Sequence, residues 1–441
     1  MSRFSAVPPA DIDSLRRLAD SMQLSLPLNE NLDALSQQQV LQGRHLSNIC
    51  VALPMEGCDA SHDGAPGSLT QRRYVRMAEG GAGLLWFEAT SVVDQGRANP
   101  HGLWIHEGSL GQFSQLVSQT RKAAPHNIVC LLQLTHAGRY SRRGTDAAPL
   151  IAEPVPGLDP DARATIVTDD HLRRLQDSFV EAARSAMRAG FDGVDIKACH
   201  GYLVSSLLSA RTRSGPFGGS FENRTRFLTE TVARVRSEVG CMVAVRLNAF
   251  DARAGGGGWG DSTDNHLQPD LAEPFLLAQK LREFGVALLS VSAGYPRHAP
   301  RFGRPSCTCR SRCNGAKEHP LGDIVRLMNA TERIGAAGIP VVYCGLAWFR
   351  NLLPHVAAAI LIRNPGALIG QGRNSIAYPQ WAHDLARHHR FNPTACCITC
   401  SGCSELMRSG APSGCVVRDR DIYGTTTHAA RNSTLTPGTF F

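Results

Sequence analysis

Residues 171–203 read HLRRLQDSFVEAARSAMRAGFDGVDIKACHGYL. The period of the pattern changes once inside this stretch. Over 171–189 apolar residues recur every three or four positions, which predicts an amphipathic helix. Over 192–197 the chain becomes a short apolar run, which predicts a buried strand. Three polar groups crowd its end: Lys197, His200 and Tyr202 fall within six positions. The same alternation extends in both directions. Strands are predicted at 48–53, 83–87, 128–134, 192–197, 242–248, 287–292, 340–344 and 367–370, with helix-like stretches such as 222–239 and 271–284 between them. About eight strand–helix repeats predict an α/β chain folded as a closed parallel (β/α)8 TIM barrel. Periodicity alone also fits a doubly wound sheet.

The alternation begins near residue 46 and stops near 385. This divides the chain into a helical lead-in (1–45), a barrel (46–385) and a Cys-rich tail (386–441). Of the 441 residues 43% are hydrophobic and 19% charged, which supports a large core and excludes global disorder. The net charge of +8 is mild and scattered, and no basic run is interleaved with aromatics, so nucleic-acid binding is not expected. No apolar run approaches the roughly 18–20 residues of a membrane span, and the N-terminus does not resemble a signal peptide. A cytoplasmic enzyme acting on a small molecule, with no membrane partner, is the expectation. A homo-oligomer is compatible with the sequence, which leaves the oligomeric state open. Two insertions stand out. Residues 253–267 carry four consecutive glycines, Gly255 to Gly258, and read as a mobile loop after the fifth strand. Residues 301–321 carry Cys307, Cys309 and Cys313 among basic residues and read as a metal-binding loop or a divergent, loosely ordered one.

In such a barrel chemistry sits at the carboxyl ends of the strands. At the fourth strand Lys197 or His200 could hold an oxyanion and Tyr202 could donate a proton. At the seventh and eighth, Gly345 and the run Gly370-Gln371-Gly372-Arg373 let backbone N–H groups approach a phosphate, with Arg373 adding charge. Arg246 lies within an apolar run and needs an anionic or polar partner, from a ligand or from the barrel itself. Gln133 occupies the same kind of position on the third strand. No Gly-x-Gly-x-x-Gly follows a strand, so a Rossmann domain has no support.

Five segments carry a resemblance: Pro54-Met55-Glu56-Gly57, Ala78-Glu79-Gly80-Gly81-Ala82-Gly83, Glu88-Ala89-Thr90, Gln133-Leu134-Thr135-His136-Ala137-Gly138-Arg139 and Gly218-Gly219-Ser220-Phe221-Glu222-Asn223-Arg224. In this order they resemble Old Yellow Enzyme-type NADH:flavin oxidoreductases, from about residue 47 to 385. The resemblance implies an FMN-binding barrel that passes hydride from NAD(P)H to an activated alkene or related acceptor. By motif, Pro54, Met55 and Ala89 would line the isoalloxazine. Gln133 would bond its pyrimidine ring, and Arg246 would stand near N1. Gly345, Gly372 and Arg373 would clamp the phosphate. Tyr202 would give the acceptor its proton. The family usually has a His/His or His/Asn pair where this chain has Lys197 and His200, which puts the usual enone substrate in question.

Fourteen cysteines are many for a chain without a secretion signal, and clustered ones read first as metal ligands. Cys397, Cys400, Cys403 and Cys415 follow a Cys-x2-Cys-x2-Cys-x11-Cys spacing, with Cys396 adjacent. This suits a [4Fe–4S] cluster, a structural zinc site or reduced thiols. The resemblance favours the cluster, because the branch related to trimethylamine dehydrogenase and 2,4-dienoyl-CoA reductase carries a similar quartet after its barrel. Those relatives continue into a dinucleotide-binding region, so here the expected electron partner is NAD(P)H itself or an electron-transfer protein. FMN is expected to be non-covalent. An amine dehydrogenase-like enzyme that exports electrons through the cluster is the competing enzyme reading. A flavin electron-transfer or redox-sensor subunit with little turnover is the reading from another class.

Overall fold

The computed structural model describes residues 7–143, 146–159, 164–303, 305 and 318–424. Cys307, Cys309 and Cys313 lie outside the described residues, and with them the reading of a metal-binding loop there. Eight parallel strands form the barrel: β1 (Cys50–Ala52), β2 (Leu84–Ser91), β3 (Val129–Thr135), β4 (Gly193–Ala198), β5 (Met242–Asn248), β6 (Leu288–Ser292), β7 (Val341–Tyr343) and β8 (Leu368–Gln371). They pair in chain order, and β8 returns to β1 with Ile369 opposite Cys50, closing the cylinder. Nearly every strand residue is buried, because both faces are covered. All eight predicted runs become strands. β2 continues to Ser91, beyond the predicted 87, because an irregular register between Phe87 and Thr90 carries the ladder past the polar Glu88.

The outer ring is α1 (Ser68–Glu79), α2 (Leu110–Ala123), α3 (Asp169–Arg188), α4 (Phe221–Val239), α5 (Ala272–Glu283), α6 (Pro320–Gly335) and α7 (Leu353–Arg363). The Thr168 side chain accepts the His171 N–H to start α3, and Asp169 and Asp170 complement the helix dipole in its first turn. The apolar stripe of α3 buries Leu172, Leu175 and Phe179, and the Phe179 ring meets Phe227 of α4 edge-on at 5.9 Å. Such a pair is worth about 1 kcal/mol beyond its area. The Gly-Gly-Ser-x-Glu-Asn-Arg motif turns out to be structural. Ser220 caps α4, and the buried Arg224 donates to the carbonyls of Gly219 and Leu208 and to Glu273.

Two expectations change, and the tail finds its place. The lead-in is not helical throughout: after helix Ile12–Ser21 it forms an antiparallel hairpin, Gln39–Leu41 with Arg44–Leu46. It shares the barrel's core through Leu15, Leu35, Leu41 and Leu46. The loop over 253–267 is pinned rather than loose. Asp261 accepts the N–H groups of Ala252 and Arg253, and Trp259 is fully buried with its indole N–H on the Asn248 carbonyl at 3.0 Å. The tail docks on the barrel, with Asp419 bonding Arg72 at 2.7 and 2.9 Å and Arg76 at 2.7 Å, both on α1.

Candidate active site

β4 ends in a tight reversal. His200 (φ +66°) and Gly201 (φ +73°) are both left-handed, an uncommon conformation for histidine. The turn sends the chain onto the β3 loop, where the Leu203 N–H meets the His136 carbonyl at 3.1 Å. Gly138 permits this approach, since a Cβ there would lie 2.7 Å from the Leu203 nitrogen. His136 is buried with its Nδ1 accepting the Gly138 N–H, and burial lowers its pKa to about 3, so the ring stays neutral.

The turn delivers Tyr202 to a partner that sequence reasoning missed. Glu56 Oε1 accepts from Lys197 Nζ at 2.9 Å and from the Tyr202 hydroxyl at 2.8 Å. Lys197 Nζ also lies 3.5 Å from the centre of the Tyr202 ring. The Lys197 side chain is 3% exposed and that of Glu56 25%, so Glu56 is the opening of this group to solvent. Burial alone would raise the Glu56 pKa, but the Lys197 ammonium and the two hydrogen bonds hold it below the usual range. Glu56 lies inside the Pro54–Gly57 segment, and the signal the sequence offers for it is an acidic residue just beyond a strand end. The cavity at this end is lined by Glu56, Ala89, Thr135 and Tyr202 among others.

Deeper in the mouth, register places Lys197, Arg246 and Ser290 side by side on β4, β5 and β6. One layer below, Asp195 gathers three donors: Gln133 Nε2 at 2.5 Å, Trp86 Nε1 at 2.9 Å and the Arg246 backbone N–H at 2.7 Å. Burial outweighs them and raises its pKa to about 6. Asp195 thus sets the orientation of the Gln133 carboxamide. Around this layer several buried polar atoms lack a hydrogen-bond partner: Arg246 Nε, Ser290 Oγ, both amide atoms of Gln371, and Arg373 Nη1. Gln371 lies within the Gly370–Arg373 run, beside Gly372 and Arg373. Gly345 (φ +80°) opens the turn after β7. Gly372 faces Met55, whose Sδ would be 3.0 Å from an added Cβ, so the buried Pro54 and the half-buried Met55 adjoin the end of β8. Unsatisfied buried donors cost about 1–3 kcal/mol each, so this layer suits a ligand that brings acceptors. FMN, with its phosphate and its polar pyrimidine edge, fits that set.

The four predicted thiols also converge. Cys397, Cys400, Cys403 and Cys415 line one pocket with Ile376, Val416 and Arg373. Cys396 does not line it; its thiol is 3.3 Å from the Asn392 carbonyl. Burial pushes the Cys397 pKa up to about 11 and raises that of Cys403, while Arg373 pulls both down. Arg373 therefore serves two places at once, the end of β8 and the wall of the cysteine cavity.

A closed barrel whose strand ends gather a proton-bearing tyrosine, a buried lysine and unfilled donors for a phosphorylated, polar ring system defines a flavin-type oxidoreductase barrel. Comparison with known proteins agrees. Residues 40–268 match the NADH:flavin oxidoreductase / NADH oxidase family, and the chain belongs to it. It is 32% identical over 329 residues to an NADPH dehydrogenase of Geobacillus thermodenitrificans, covering 72% of this chain and 91% of that one. An NADH oxidase of Thermoanaerobacter brockii is 29% identical over 367 residues, covering 81% of this chain, which spans about half (51%) of that protein's length. Among solved structures, a 2-naphthoyl-CoA reductase superposes with a TM-score of 0.70 at 20% identity, over 88% of this chain and 57% of that one. Morphinone reductase superposes with a TM-score of 0.61 at 22% identity, over 82% and 92%. No helix among the described residues is long and apolar enough to cross a membrane.

Proposed function

We propose that the chain is an ene-reductase-type enzyme that binds FMN non-covalently and reduces an activated alkene or related acceptor at the expense of NAD(P)H. The observation that carries this reading is the group of unpartnered buried atoms on Arg246 of β5, Ser290 of β6, and Gln371 and Arg373 at the end of β8. Bound there, FMN would supply hydride transfer between NAD(P)H and the acceptor. Gln133, steadied by Asp195, and Arg246 would hold its ring; Gly345, Gly372 and Arg373 would hold its phosphate. Pro54, Met55 and Ala89 would pack beside the ring. Tyr202 holds the proton for the acceptor, and Lys197 and His200 polarise the acceptor oxygen. In the resting chain the Tyr202 hydroxyl is given to Glu56, so an acceptor has to take that place. The amine-oxidising alternative fits less well. The rings of Tyr202 and Tyr140 stand 5.8 Å apart, and their faces are already taken by Lys197 and by Arg297, 4.1 Å from the Tyr140 centre. A cationic amine would meet the charges of Lys197 and Arg297 there, offset in part by Glu56.

The tail is proposed to hold a [4Fe–4S] cluster on Cys397, Cys400, Cys403 and Cys415, which would exchange single electrons with an electron-transfer protein. The four residues line one pocket, and a closely spaced trio with one distant cysteine suits a cubane, whose four irons each take a thiolate; a structural zinc on four thiolates is the alternative. An absorption spectrum of anaerobically prepared protein tests both parts, with flavin bands and broad cluster absorption expected. Arg246→Ala should weaken FMN binding. A colourless wild-type protein that takes up no added FMN overturns the flavin reading.

A further inference from the structure

On the barrel floor, opposite the mouth, lies a cluster that the flavin chemistry does not use. After β8 the chain winds through Trp381–His383 and then a π turn, Asp384–His388, in which the His389 N–H reaches back to the Asp384 carbonyl. In an α-helix residues five apart point about 140° away from each other. The wider i→i+5 winding brings such residues back onto one side. The His383 and His388 rings accordingly stand 5.2 Å apart at 72°. Asp384 completes a group whose ligand atoms all lie within 4.8 Å of one another. His383 Nδ1 is 3.4 Å from Asp384 Oδ1. That is the edge of a tetrahedron with metal–ligand bonds of about 2.1 Å, which is about 3.4 Å. The other Asp384 oxygen accepts from the Tyr378 hydroxyl, the kind of outer partner that orients a ligating carboxylate. Both imidazoles are exposed, which leaves an ion an open path.

We propose that His383, Asp384 and His388 bind a divalent first-row transition-metal ion, with water in the remaining positions. Two imidazoles and one carboxylate suit Zn2+, Ni2+ or Cu2+, whereas Ca2+ and Mg2+ take shells of oxygen. The ion staples the π turn at the joint between barrel and tail. Tyr378, which holds Asp384, also accepts the Asn392 N–H, and the Asn392 carbonyl faces the Cys396 thiol.

Calorimetric titration of the purified full chain with nickel chloride tests the site. One Ni2+ should bind per chain, and His388→Ala should lower the affinity at least about 100-fold, beyond the roughly 10–100-fold of losing an outer partner. Ni2+ should raise the Tm of the wild type and not that of the variant. His388 is exposed, so the metal-free variant should unfold at the wild-type temperature; His383→Gln gives an independent second removal. Cys400→Ser should leave this Ni2+ site intact. The proposal is overturned if no saturable binding occurs, if binding survives both histidine changes, or if it follows the cysteine instead.

Discussion

The barrel mouth and the cysteine tail both gather reactive side chains, but they satisfy them in opposite ways. At the outer mouth Lys197, Glu56 and Tyr202 neutralise and bond one another, so this part of the site is complete without a ligand. In the tail four thiols line a shared pocket, where burial disfavours the charged form of Cys397 and Cys403. Thiolates there need a metal to hold their charge. The inner mouth resembles the tail in this respect, with buried donors on Arg246, Gln371 and Arg373 that lack partners. A region that closes its own charges can tune chemistry, whereas one that leaves them open is built around something else.

The largest effect should come from breaking the open region. Cys397→Ser or Cys403→Ser should abolish most of the iron and acid-labile sulfide found by metal analysis, while flavin absorbance persists. Zinc at about one per chain, without iron or sulfide, would assign the tail to a structural ion instead.

Next in size is the closed region. Tyr202→Phe should slow the alkene-dependent half-reaction by about 10²–10⁴-fold, the usual cost of losing a general acid. NAD(P)H should still bleach the flavin at a near-normal rate in stopped flow. Unchanged alkene reduction would mean that the proton comes from another group.

Glu56→Ala probes the contrast more finely, because it leaves the Lys197 ammonium buried without its counter-charge. A fully buried pair loses about 3–5 kcal/mol when one partner is removed. Glu56 is partly solvated, so a loss of about 2 kcal/mol in denaturant unfolding is expected. Glu56→Gln, which keeps an acceptor oxygen, should lose less. Equal stability of Glu56→Ala and wild type would show that Lys197 finds another partner.

Smallest when counted per pH unit is a slope in stability. His136 has its pKa lowered to about 3 when folded, against an ordinary value of 6.5. Between these values the unfolded chain binds the extra proton, so stability falls as pH drops below about 6.5 and keeps falling towards 3. The slope from this side chain is about 1.4 kcal/mol per pH unit. His136→Asn should flatten it in acid-unfolding curves, and an unaltered slope would place the titration elsewhere.

How much of this was legible in the chain follows from the range of each signal. β5 was read to the residue, because a buried parallel strand is a continuous apolar run with clear edges. β2 was cut short at its polar end, where an irregular ladder hides the strand. The Lys197, His200 and Tyr202 cluster was visible because one strand end carries all three. Glu56 was not, since its partners lie more than 140 residues away. Asp195 was passed over for the same reason: its three donors come from β2, β3 and β5.

The sequence by itself determined the alternation of strands and helices, the residues at the strand ends and the spacing of the four cysteines. These are local matters of period and neighbourhood, and each is decided within a few turns of chain. The tertiary structure alone decided that Glu56 joins Lys197 to Tyr202, that Cys396 turns away from the other thiols, and that Arg373 stands between the mouth and the cysteine cavity. Barrel closure brings β8 beside β1, and with it residues more than 300 positions apart. Which charges meet across that seam depends on distances that no local pattern encodes.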